Sequence, residues 1–184
     1  MGSNRNSLRS LSRQFPGAGE VKSIINDLRK ENDRTVAIVG ASLVESALEH
    51  MLIASFKSKH SDLLPRLFEN RGPLSDFNSK ILVAQAFGVV AESQAEEMQR
   101  IRHIRNAFAH ARVPITFDTT EVHKEVQDFI MLMAMRSVEP KLPSHAKKIE
   151  DMPNKSAYLL MCNLILIMFD HMHRALGGRR LLDC

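Results

Sequence analysis

Apolar residues along this chain recur at intervals of three and four, the repeat that gives a helix one buried face. Val21, Ile24, Ile25 and Leu28 mark a short first helix. Asp33 suits the N-cap of a long second helix that carries TVAIVGASLVESALEHMLIASF to about Lys59, since a short acidic side chain accepts from the first free amides. Gly40, Ala41 and Ser42 sit inside that run. Glycine there costs roughly 1 kcal/mol against alanine, so a close crossing by another helix is the expected compensation.

Pro65 and the pair Gly72-Pro73 interrupt the next stretch and predict a short helical turn followed by a loop. Ser75 then caps a helix in which Phe77, Ile81, Ala84 and Gly88 share one face. Another helix runs from about Glu92 to Ala111 and ends before Pro114, after which Ile115, Thr116, Phe117 and Asp118 make an extended crossing. Thr119 or Thr120 caps a helix with Val122, Val126, Phe129, Ile130 and Met133 on a single stripe. Pro140, Pro143 and Pro153 bracket a polar loop, and a last helix from roughly Lys155 to Leu176 stops at Gly177-Gly178. The pattern is all-α: about six helices with an up-and-down bundle core, in one domain over residues 20–178.

Composition adds bounds to this picture. A chain of 184 residues, 44% apolar and 25% charged, has the balance of a globular protein with one core. Residues 1–19, rich in Ser, Asn, Arg and Gly, read as a flexible tail, and residues 179–184 as a second, shorter one. Net charge +4 and a pI near 9.3 permit weak attraction to polyanions without naming one. Cys162 and Cys184 give neither metal-ligand spacing nor a disulfide framework, which suits a reducing cytoplasm. No signal-peptide pattern opens the chain, and the apolar run over residues 157–169 is shorter than the ~20 residues that span a bilayer. The expectation is a cytoplasmic protein with no membrane contact.

Candidate chemistry is concentrated in RIRHIRNAFAHAR, residues 100–112. On an ideal helix Met98, Ile101, Ile104 and Phe108 form one apolar arc, while Arg102, His103, Asn106 and His110 fall on another. Arg105 and His110 are then about 140° apart on their helix, so two copies meeting across a twofold axis would bring them together better than one copy does. Such a cleft has the parts for RNA cleavage without metal. Histidine moves protons to and from the reacting oxygens, arginine holds the phosphate, and Asn106 orients either. Against this, His110 near a helix C-terminus is favoured for stability alone, and Arg105 is equally suited to pairing with a carboxylate from another helix.

Other groups read as structure. His171 and His173, beside Asp170, stand two apart on a helix and diverge, so no metal site is expected, nor any cofactor. The methionines at 131, 133, 135, 161 and 168 read as adaptable packing. Glu96 and Glu97 precede Arg100 and Arg102 at the spacing of a solvated, salt-bridged face. There is no phosphate-binding glycine loop and no helix-turn-helix pattern, so specific DNA reading by this chain alone is not expected.

Three stretches in order, GASLVESALEHML from Gly40, LFENRGPLSDFNSKILVAQAFGVV from Leu67 and IRHIRNAFAHA from Ile101, resemble the mannitol operon repressor family over about residues 30–135. The resemblance implies an all-helical regulator that represses through a protein partner. It extends to the wider HEPN superfamily, whose ribonuclease members use Arg-polar-x-x-x-His at a dimer interface, a pattern matched by Arg105, Asn106 and His110. It therefore implies a four-helix core, a homodimer and, as an alternative to regulation, RNA cleavage. Arg102, His103 and Arg112, with Phe77, Lys80 and Ile81 of the Phe-x-x-Lys-Ile motif, are the residues expected at a binding or subunit interface.

Overall fold

A computed structural model describes Pro16 and residues 18–60, 62–69, 71–138 and 151–175. Most of both expected tails, the loop around Pro140 and Pro143, and the Gly177-Gly178 stop lie outside them. The described residues form eight helices and no strand: α1 Ala18–Leu28, α2 Asp33–Ser55, α3 Leu63–Phe68, α4 Phe77–Ala86, α5 Glu92–His110, α6 Thr120–Gln127, α7 Ile130–Val138 and α8 Asn154–Ala175. The protein is an all-helical bundle. Helix α2 packs against α4, α5 and α8, and α5 packs also against α4.

The long helices form where the apolar repeat is long and strong. Val36, Val44, Leu48, Met51 and Leu52 of α2 are buried, as are Tyr158, Met161, Cys162, Ile165 and Phe169 of α8. Their crossing is close at Gly40. A Cβ there would stand 3.1 Å from Tyr158 Cε1 and 3.3 Å from Cys162 Sγ. The bare glycine face lets Tyr158 bury its whole ring, with its hydroxyl donating to the Ala37 carbonyl at 2.8 Å, so the buried phenol is not left unsatisfied. Phe108, Phe117 and Tyr158 continue the core as tilted ring pairs 5.0 and 5.1 Å apart.

By length and composition α2 is also the one described helix apolar enough to cross a membrane. Over half of that window, 56%, is buried inside the fold, which accounts for its apolar character as core packing.

Several helix boundaries differ from the expected ones. The N-cap of α2 is Asn32, whose side chain accepts from the Thr35 amide at 2.9 Å. Asp33 is drawn away to accept the Phe117 amide at 2.9 Å and to face Lys155 at 3.3 Å. Helix α2 ends at Ser55, not at Lys59. Asp76, not Ser75, caps α4, accepting the Ser79 amide at 3.0 Å and its hydroxyl at 2.6 Å. Those bonds from Ser79 hold the Asp76 carboxyl below its ordinary pKa. Thr119 stands at the start of α6, but its hydroxyl serves the Thr116 amide instead of the helix.

The largest departure is the stripe from Val122 to Met133, which belongs to two helices. Helix α6 ends at Gln127, the Phe129 amide turns back to the Val126 carbonyl at 3.4 Å, and α7 restarts at Ile130.

The Gly-Pro-Leu-Ser turn before α4 is specified by its backbone. A Cβ on Gly72 would fall against the carbonyls of Arg66 and Leu67, so only glycine fits the turn. Leu74 is then buried, and its amide bonds Leu67 at 2.9 Å.

Candidate functional site

Helix α5 carries the candidate residues and is fixed at both ends. The Ala91 amide donates to the Gln94 side chain at 2.8 Å, half of a capping box. At the far end the Ala111 amide closes on Ala107, and Arg34 donates to the Ala111 carbonyl at 3.0 Å. Met98, Ile101, Ile104 and Phe108 are all buried, so the apolar arc expected for this helix faces the core. Its polar arc is thereby held toward the surface.

Arg105 is half-exposed at 35% and already engaged within its own chain. Its Nη1 donates to Asn106 Oδ1 at 3.1 Å, and its Nη2 stands 4.0 Å from Glu45 Oε2. Glu45 belongs to a deeper cluster in which Lys80 Nζ meets Glu45 Oε1 at 2.9 Å and Glu49 Oε2 at 2.8 Å. Only 6% of the Lys80 side chain is exposed. Burial alone would lower its pKa, but the two carboxylates outweigh it and the ammonium titrates above its ordinary value. The motif lysine of α4 is thus the anchor that joins α4 to α2.

His110 is exposed on the last turn of α5, five residues from Arg105. No hydrogen bond or ion pair reaches its side chain among the described residues. One chain therefore presents Arg105 occupied and His110 open, and it does not bring the two to a common point.

Of the arginines nearer the start of the basic run, Arg100 faces acids of the following segment and Arg102 bonds neighbours on its own helix. Arg100 Nη1 lies 3.6 Å from Glu125 and 3.7 Å from Asp128. Arg102 donates from Nε to Gln99 at 2.7 Å and from Nη2 to His103 Nε2 at 2.9 Å. Because Arg102 has only donors, His103 Nε2 accepts, and the ring proton falls to Nδ1, which faces Glu125 Oε1 at 3.2 Å. Arg102, His103 and Glu125 form a directed chain of hydrogen bonds from α5 to α6. Arg112 is exposed in the loop after α5.

Phe77 and Ile81 are 3% and 0% exposed in the core of a single chain. Neither offers a surface to a partner, which corrects their expected place at an interface. Lys80 is likewise spent on Glu45 and Glu49.

Glu97 is the second correction. It is not on a solvated face: it is 3% exposed, and its Oε1 accepts the Met131 amide at 2.7 Å, capping the first turn of α7. Its Oε2 has no hydrogen-bond partner. Burial raises its pKa against the lowering effect of the Met131 amide and of the Arg100 charge. The Arg-Glu spacing along α5 looked like a surface pair, and no local signal distinguishes it from one.

Asp170 is paired with Arg174 at 2.6 Å, and no group of three metal-ligating side chains comes together among the described residues. Set against protein-family models, curated proteins and solved structures, the chain matches none.

Proposed function

We propose that this chain is a non-enzymatic cytoplasmic regulator of the mannitol operon repressor type, a homodimer that acts through contacts with a protein partner instead of reading DNA itself. The observation that carries this reading is the engagement of Arg105. A guanidinium that already faces the Glu45 carboxylate and the Asn106 amide oxygen is poorly placed to hold a phosphate, because Glu45 repels the same anion that arginine would attract.

Gly72, Phe77, Lys80 and Ile81 of the middle motif serve a turn, the core and a buried ion cluster. The arginines at 100 and 102 lie among Glu125, Asp128 and His103, which weakens the case for a nucleic-acid surface. A purified chain that is dimeric by light scattering and shows no sequence-specific binding to its own operator DNA is the expected result. Tight, specific DNA binding by the chain alone would overturn the requirement for a partner.

A second reading, a metal-independent HEPN-type ribonuclease, is favoured by one observation: His110 is open, with no bond to its side chain among the described residues. In a dimer it would act as general acid or base, with Arg105 released from Glu45 onto the phosphate and Asn106 orienting it. Incubation with RNA in chelator, beside His110→Ala and Arg105→Ala, decides between the two. Cleavage lost in both variants establishes the ribonuclease, whereas absence of cleavage, or cleavage that survives both, returns the site to structure and regulation.

A further inference from the structure

Helix α8 is apolar on both sides. Tyr158, Met161, Cys162, Ile165 and Phe169 fill the core, yet no charged residue occurs anywhere from Ser156 to Phe169. At about 100° per residue, Ser156, Leu160, Asn163, Leu164, Ile167 and His171 fall on one outward arc. Leu160, Asn163 and Leu164 are half-buried, Ile167 is 43% exposed, and Ser156 and His171 are exposed. The outward sides of the other two long helices differ: Arg34, Glu45 and Glu49 stand on α2, and Glu96, Arg102 and His103 on α5. Charges of that kind mark a helix face meant for water, and a helix apolar all round belongs in a fully buried place. A single chain buries α8 on one side and leaves Ile167 in water.

We propose that this arc is where a second copy of the chain docks, α8 against α8 as an antiparallel pair about a twofold axis near Leu164. The proposal rests on the homodimer of the reading above and locates its seam. Leu160, Leu164, Ile167 and His171 recur at intervals of four, three and four, the spacing of a seam between two helices. A twofold interface must match itself, and this arc does. Its middle is aliphatic and both its ends are polar, so Ser156 of one copy meets His171 of the other while Leu160, Leu164 and Ile167 close over the centre. Charge selects the same direction. Asp151 is exposed just before α8, whose last turn carries His173 and Arg174. An antiparallel pair sets the acid of each copy beside the basic turn of the other and opposes the helix dipoles, whereas a parallel pair would stack like charges.

The flank of the arc is apolar as well. Met168 borders it and, with Met131 and Ala134 of α7, lines an open hollow of about 220 Å³. Unbranched thioether side chains adapt to what packs on them, so α7 can widen the contact beyond one helix. A dimer built on α8 uses none of Arg105, Asn106 and His110. Subunit pairing and the candidate chemistry of α5 then belong to different surfaces.

Two full-length variants with Cys184 replaced by serine, and with Cys162 buried, test the seam. One carries Asn163→Cys in the arc, the other Ala109→Cys on the exposed side of α5 beside His110. Each is treated with a short bismaleimide and run on a denaturing gel. Asn163→Cys is expected to give a covalent dimer and Ala109→Cys to stay single. Ile167→Glu, followed by light scattering over a series of concentrations, is expected to weaken self-association at least about tenfold, because pairing would bury an uncompensated carboxylate. Its melting curve should stay near that of the parent, since Ile167 is already exposed in one chain, and it decides the matter if Asn163→Cys fails to fold. A chain that is monomeric at every concentration removes the homodimer itself and leaves the arc to a different occupant, which overturns the seam. A dimer joined through Ala109→Cys more than through Asn163→Cys, or left intact by Ile167→Glu, keeps the homodimer and overturns the seam alone.

Discussion

Lys80 and Glu97 are both charged side chains buried where helices meet, and the fold holds them in opposite ways. Lys80 has two carboxylates, Glu45 and Glu49, each within 2.9 Å. Glu97 has no counter-ion at salt-bridge distance among the described residues: its Oε1 accepts the Met131 amide, with the Arg100 charge and the Ile130 amide acting on it more weakly. The difference teaches how a buried charge is held. A charge closed by counter-ions locks α4 to α2 and stays ionised, while one held mainly by backbone amides takes up a proton more readily.

The largest effect separating the two is expected from Lys80→Ala. It strands two partly buried carboxylates against each other and should cost about 3 kcal/mol, read as a fall in the urea midpoint at neutral pH. At the other pole, Glu97→Leu removes the acceptor of the Met131 amide and should cost about 1–3 kcal/mol, whereas Glu97→Gln keeps that bond and should stay within about 1 kcal/mol of the parent. If Gln and Leu were equally damaging, the bond to α7 would not be what Glu97 contributes.

Titration separates the pair further. The folded-state pKa of Glu97 is raised, so the folded chain holds its proton more tightly than the unfolded one. The associated stability is full below the ordinary value of 4.5 and is lost as pH rises through the higher folded value. Lys80 is also raised, so its contribution is present below 10.5 and is lost only as pH climbs through a value above that. Melting across mildly acidic pH should therefore show a downward slope that Glu97→Gln flattens and that substitutions at Lys80 leave in place.

The smallest effect is expected at His110. With no bond to its side chain among the described residues, His110→Ala should move stability by no more than about 0.5 kcal/mol. Any loss of RNA cleavage in that variant would then be chemical and not a consequence of unfolding.

Much of the bundle is legible in the sequence because long apolar repeats dominate local choices. Helices α2, α5 and α8 fall within a few residues of their expected bounds, and the close crossing expected at Gly40 is where Tyr158 and Cys162 pack. What escapes is whatever a distant residue decides. The stripe from Val122 to Met133 keeps its period across Asp128 and Phe129, and the restart of α7 is fixed by Glu97, thirty-four residues before Met131. Asp33 looks like a cap and is claimed by Phe117, eighty-four residues away.

The candidate site divides in the same way. The apolar arc of α5 was readable from spacing, and pairing of Arg105 with a carboxylate was one of its readings. That the carboxylate is Glu45, and that Lys80 shares it, depends on the approach of α2 and α4, which no local pattern encodes.

The crossing at Gly40 has a consequence for chemical probing. Cys162 lies fully buried there with its thiol pushed up to about 12, and alkylating reagents attack the thiolate. In a chain with Cys184 replaced by serine, modification of Cys162 must wait for α2 and α8 to part. The rate of that single reaction under native conditions becomes a stopwatch for how often the centre of the bundle opens.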